Sequence, residues 1–297
     1  MDGGAVRAAV FPSERPARGC VVLVSGRTEF IEKYFEVVRE LTDRGFAVVT
    51  KDWRGQGLSD RPLPDRAKGH VEDFAVFRDD FDRLIEGLVK PRFRGPYILL
   101  THSMGGAPCL QRLADGDRTF VAAVLCAPMT RIYAPTLRRL GVPLLVRGVA
   151  AAGLTGATLP AGPDHSETFE GNLFTSDPAR HDRFRRLKEA DPDAALGEPT
   201  FGWLRAALDT EQDLHAPGRL DQLVTPTLIV SGEKDVIVDN ESHAELDARS
   251  PLITRRIIAD ALHEIMMERD EVRDAFWAEF DAFIEPALAA EAAPAGA

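Results

Sequence analysis

Cysteine is scarce in this chain. Its three copies, Cys20, Cys109 and Cys126, are odd in number and form no CxxC pair, which argues against a disulfide framework. Cys20 and Cys126 lie in apolar runs and read as small core residues, which fits a reducing cytoplasm. Basic residues are outnumbered, 36 against 47 acidic, for a formal charge of −11. That balance argues against nucleic acid as a partner, with Arg138, Arg139 and Arg147 the candidates for a local basic patch. No apolar run approaches the roughly 18 residues of a membrane span. The nearest, 140–159, is broken by Arg147 and several glycines. The first 18 residues hold no apolar core, so no signal peptide is expected. No HExxH and no phosphate-cradling glycine pattern follows a strand, so neither a cofactor nor a catalytic metal is expected.

What is present is an alternation of short apolar runs with amphipathic stretches. Runs 20–25 (CVVLVS), 46–50 (FAVVT), 97–101 (YILLT) and 121–126 (VAAVLC) read as buried strands. Between them, 30–44 and 73–89 carry apolar residues at helical spacing, and Gly45 stops the first of these helices. The alternation predicts an α/β fold with a mostly parallel sheet covered by helices on both faces. Strand runs cease after Pro128 and return at 227–231 (TLIVS) and 254–259 (TRRIIA), before a final helix over 272–284. The expected organisation is a first core part over 1–128, a helical cap over 129–220, a second core part over 221–285 and a flexible tail over 286–297. The 297 residues otherwise suit one such unit.

The third strand runs straight into Thr101-His102-Ser103-Met104-Gly105-Gly106. A serine between a buried strand and a helix sits on a sharp, strained turn that presents its hydroxyl to the helix N-terminus. Thr101 occupies a slot usually held by glycine and crowds the turn. Taken alone, Ser103 is equally well a helix cap; the strand before it favours a nucleophile. A serine hydroxyl needs a histidine to accept its proton and a carboxylate to orient that histidine, and both follow later strands in this arrangement. Asp235 follows 227–231, with Glu233 and Asp239 as nearby rivals. His263 follows 254–259. His70 precedes the serine, His102 is its neighbour and points elsewhere, and His165, His181 and His215 lie in the insertion. His243 reads as a surface residue of a helix. The oxyanion donors expected are the backbone amides of Met104 and Arg27, the latter in the turn after the first strand, where Gly26 permits a close approach.

The stretch 52–60 (DWRGQGLSD) resembles the D-x-R-G-x-G-x-S signature of α/β-hydrolases. Further stretches are similar to the bacterial lysophospholipase and monoacylglycerol lipase branch: 26–35 (GRTEFIEKYF), Gly69-His70-Val71, Ala127-Pro128-Met129, 172–177 (NLFTSD), 200–204 (TFGWL) and 263–268 (HEIMME). The resemblance spans nearly the whole chain. It implies an α/β-hydrolase fold and hydrolysis of a single-chain lipid ester, with Ser103, Asp235 and His263 in the triad positions. The family's histidine before the oxyanion-loop glycine is Ser25 here.

The insertion is expected to lie over Ser103 as a lid, with Leu144, Leu145, Val146, Val149 and Leu154 as an apolar flap suited to an acyl chain or to transient contact with a membrane surface. Ordinary core packing is the competing reading of those residues. Trp203 is the aromatic candidate for substrate contact. The expected place of work is the cytoplasm, peripheral at the inner face of the membrane. Alternatives are an aminopeptidase or amidase with the same triad, for which Glu167, Glu170 and Asp177 would bind an amine, a general carboxylesterase on small esters, and a non-catalytic binding protein.

Overall fold

The computed structural model describes residues 4–13, 18–133, 136–160 and 168–292. Its centre is a seven-stranded sheet of order β1-β3-β2-β4-β5-β6-β7. The strands are β1 (Ala8–Phe11), β2 (Cys20–Val24), β3 (Ala47–Lys51), β4 (Tyr97–His102), β5 (Ala122–Cys126), β6 (Thr227–Gly232) and β7 (Ile253–Ile258). The run β2 to β6 is buried at every position except Tyr97, which is why these strands read as continuous apolar segments. All neighbours pair in parallel except β1, which lies antiparallel on the β3 edge. The sequence does not announce β1, because its apolar run (AAVF) is only four residues long and its side chains stay exposed or half-exposed.

Helices cover the sheet: α1 (Phe35–Asp43), α2 (Ala75–Leu84) continued through a π-turn into α3 (Lys90–Arg92), α4 (Gly106–Ala114), α8 (Asn240–Arg249) and α9 (Asp270–Ala292). Between β5 and β6 the described residues form three helices and no strand: α5 (Thr136–Ala151), α6 (Pro178–Ala190) and α7 (Phe201–Leu214). Helix α7 packs on both α4 and α5. Of the apolar flap, Val146 is buried while Leu144, Leu145 and Leu154 are exposed.

Two expectations change. The last helix runs on through Pro286 to Ala292 where a tail was expected, because Leu288 is buried and Ala287 packs against the core. Residues 293–297 lie outside the described residues, as do Glu167, His165 and the side chains of Arg138 and Arg139. His243 is no surface residue: it is fully buried, bonding Ser231 Oγ at 2.8 Å and the Pro128 carbonyl at 2.7 Å. A carbonyl only accepts, so His243 Nε2 donates to it and Nδ1 takes the Ser231 proton. Burial pushes this ring down to about 4 and keeps it a neutral strut between α8 and the sheet.

Candidate active site

The C-terminal ends of β2, β4, β6 and β7 bring the candidate residues together. Ser103 follows β4 with φ of +49°, a left-handed conformation that L-residues rarely hold. The turn needs Gly105, since a Cβ there would strike the Ser25 carbonyl oxygen. Beneath it, Thr101 is fully buried and its hydroxyl has no hydrogen-bond partner among the described residues.

His263 bridges the other two residues. Its Nε2 lies 2.8 Å from Ser103 Oγ and its Nδ1 lies 2.7 Å from Asp235 Oδ2. All three are buried. The other Asp235 oxygen accepts the amides of Ile237 and Val238 at 2.8 and 3.2 Å. Burial alone would raise this carboxyl, but the charge and hydrogen bond of His263 and the two amides outweigh it and hold Asp235 below the usual range. The rivals are otherwise engaged: Asp239 caps α8, and Glu233 accepts the Asp260 amide. A buried carboxylate on one imidazole nitrogen and a hydroxyl on the other is an arrangement able to remove the hydroxyl proton and keep it for a leaving group.

The loop opposite Ser103 is held by two groups of residues, one in the DWRGQG stretch and one around Glu29. A Cβ on Gly26 would lie 3.0 Å from that of Ser103, so only glycine lets the loop come this close. Thr28, at φ +64°, donates its amide to Gln56 Oε1 at 2.7 Å. Trp53 Nε1 donates to the Ser25 carbonyl at 2.7 Å, and Asp52 accepts the amides of Ile31 and Leu58 at 2.9 Å each. The DWRGQG stretch therefore acts as a brace for the loop that carries Arg27.

Behind this loop, Glu29 accepts from Gly26 N–H, from Tyr34 OH at 2.6 Å, from Lys33 Nζ at 2.7 Å and from His102 Nδ1 at 3.1 Å. His102 Nε2 faces the carbonyl of His263 at 3.3 Å, so both ring nitrogens meet acceptors. That pattern suits an imidazolium. Burial opposes the charge, yet Glu29 outweighs it and raises His102; burial likewise opposes ionised Glu29, which His102 and Lys33 pull well below the carboxylate range. His102 thus points into the site's supporting network. The link between Glu29 and the nucleophile turn is found only in three dimensions, because His102 lies 73 residues away.

A cavity of about 470 Å³ opens above Ser103 and His263. Arg27, Thr28 and Met104 line one side; Met129, Leu159, Leu173, Phe174 and Trp203 give it an apolar wall. Trp203 is buried, and its indole N–H points at Met104 Sδ, 3.3 Å away. The NLFTSD stretch seals the His263 side: Phe174 accepts the Glu264 amide at 2.7 Å, and Thr175 Oγ1 donates to Met267 O at 2.7 Å. No group of three or more metal-binding side chains occurs among the described residues, and no described helix is long and apolar enough to cross a membrane.

Residues 15–270 match the family model described as "Serine aminopeptidase, S33". The chain belongs to this hydrolase family. Among its relatives is lysophospholipase L2 of Escherichia coli K12, 33% identical over 264 residues that cover 85% of this chain and 76% of that protein. The monoacylglycerol lipase of Mycolicibacterium smegmatis is 28% identical, covering 86% of this chain and 81% of that protein. The solved structure of a soluble variant of monoglyceride lipase from Saccharomyces cerevisiae, in complex with a substrate analogue, superposes with a TM-score of 0.77 at 19% identity, over 97% of this chain and 94% of that one. The chain thus has the α/β-hydrolase fold.

Proposed function

We propose that this family member is a serine hydrolase that cleaves the carboxylic ester of a single-chain lipid, a lysophospholipid or a monoacylglycerol, through an acyl-enzyme on Ser103. The observation that carries the reading is the His263 ring bonded between Ser103 and Asp235 at the floor of a mostly apolar cavity. The names of the E. coli and M. smegmatis relatives support the substrate class.

Ser103 Oγ attacks the ester carbonyl as His263 Nε2 takes its proton. Asp235 fixes the ring so that Nδ1 keeps its own proton, and stabilises the charge that forms. The amides of Arg27 and Met104 receive the oxyanion. His263 then gives its proton to the departing alcohol, and water, activated by the same ring, releases the fatty acid. Trp203 and the other apolar residues hold the acyl chain. Residues 129–220 act as the cap, and the exposed Leu144, Leu145 and Leu154 support peripheral contact with the inner face of the membrane.

A second reading, an aminopeptidase, follows from the family's description. Of the cavity carboxylates, Glu29 and Glu264 are both paired with Lys33, which leaves Glu198 as the carboxylate that could receive an amine. The test is a matched panel: a monoacylglycerol, a lysophospholipid, short and long p-nitrophenyl esters and an aminoacyl amide, offered to wild type and Ser103→Ala. Cleavage of the long-chain lipid esters is expected for wild type, with a loss of at least about 10³-fold in the variant. Cleavage of the amide alone would replace the esterase reading with the peptidase one.

A further inference from the structure

We infer that Arg27 and Glu198, facing the same cavity as Ser103, form a subsite for the zwitterionic phosphodiester headgroup of a lysophospholipid; this rests on the ester-hydrolase reading of Ser103. The charges lining the cavity divide into two sets. Glu29, Glu264, His102 and His263 belong to buried pairs with Lys33, with one another or with Asp235. Arg27 and Glu198 line the same cavity, and among the described residues neither enters an ion pair.

Neutral groups hold the Arg27 side chain in place. Its Nη2 donates to the Gly197 carbonyl at 2.5 Å, and its guanidinium carbon lies 5.4 Å from the Trp203 ring centroid. Gly69 flanks it closely: a Cβ there would sit 3.0 Å from Nη2. The buried Nε has no hydrogen-bond partner among the described residues. A guanidinium oriented in this way beside a nucleophile, with Glu198 acting on it through charge but not within ion-pair distance, keeps N–H donors for an arriving phosphate oxygen. Burial pushes Arg27 down to about 10, with Glu198 opposing the fall, so it remains cationic at neutral pH.

The position fits the substrate. The Arg27 backbone belongs to the proposed oxyanion loop, and its side chain reaches away to the 197–203 wall. In a lysophospholipid the phosphate lies a glycerol's length beyond the ester carbonyl, on the leaving-alcohol side. Glu198, next to Gly197 and exposed on the lining of the same cavity, is the carboxylate for the ammonium of the same headgroup. A monoacylglycerol carries neither charge and leaves both residues unmatched, so the pair selects by charge.

The test compares kcat/KM for lysophosphatidylethanolamine and for a monoacylglycerol of the same chain length, in wild type, Arg27→Gln, Arg27→Lys and Glu198→Gln. The ratio of the two should fall about tenfold in Arg27→Gln, mainly through KM, and recover in part in Arg27→Lys. Glu198→Gln should lose preference for lysophosphatidylethanolamine over lysophosphatidylglycerol, which lacks the ammonium. Equal losses on both esters in Arg27→Gln would make Arg27 a scaffold for Trp203 and overturn the subsite. Binding of dodecylphosphocholine, which has no carboxylic ester, separates the subsite from the ester-hydrolase reading. About tenfold tighter binding to wild type than to Arg27→Gln supports the subsite even if no ester is cleaved, and equal binding overturns it. Competition by inorganic phosphate at equal concentration would mark a general anion site and likewise overturn it.

Discussion

The positions of Ser103 and Asp235 were legible in the sequence because each follows a strand buried on both faces, and that of His263 because it follows the β-branched edge strand β7, whose pattern is only half buried. Strands buried on both faces write themselves as apolar runs, and the catalytic order of this fold follows the strand order. Glu29 and Lys51 were not legible, because what matters about them is what surrounds them. Lys51 ends β3 fully buried, with its Nζ 3.7 Å from the Trp53 ring centroid and no hydrogen-bond partner among the described residues. Burial pushes its amine down to about 7 from 10.5. Between those values the unfolded chain holds a proton that the folded chain has shed, so this residue makes stability rise with pH across that window. Lys51→Met should remove that rise and stabilise the protein at pH 7 by on the order of 1–3 kcal/mol. Urea unfolding at pH 7 and pH 9.5 measures both; identical pH dependence in the two proteins would contradict it.

Element against element, the helical insertion is tied down by ion pairs that no periodicity encodes. Glu36 on α1 accepts from Arg180 Nε at 3.0 Å and Nη2 at 2.7 Å and from Arg183 at 2.5 Å, both on α6, and from Arg273 of α9 at 3.2 Å. The Arg180 hydrogen bond, working against burial and aided by the other arginines, lowers this carboxyl to about 2. A depressed carboxyl stabilises the fold above its unfolded value of 4.5, and that share is lost as pH falls from there toward 2. Glu36→Gln should therefore cost about 1–2 kcal/mol at pH 7, a figure discounted for the partly exposed cluster. The gap from wild type should close as the pH is lowered, when both are followed by thermal unfolding. A gap that stays constant down to pH 3 would place the effect elsewhere. The same tertiary pairing explains NLFTSD and HEIMME, two stretches about 90 residues apart that close one side of the cavity together.

At the scale of the molecule, the sequence carried the sheet and the insertion but not the β1 edge or the length of α9. The first is too short and half-exposed to leave a pattern. The second continues past Pro286 because a buried Leu288 outweighs the lost backbone hydrogen bond. Everything else converges on one atom: the sheet places Ser103 Oγ against His263, the DWRGQG stretch braces the facing loop, and the insertion walls the cavity. The most direct measurement is the intact mass of wild type and Ser103→Ala after exposure to a long-chain fluorophosphonate. One adduct per chain, located on Ser103 by peptide mapping and absent from the variant, is the expected result. No adduct on wild type, or an adduct that persists in Ser103→Ala, would contradict a nucleophilic Ser103.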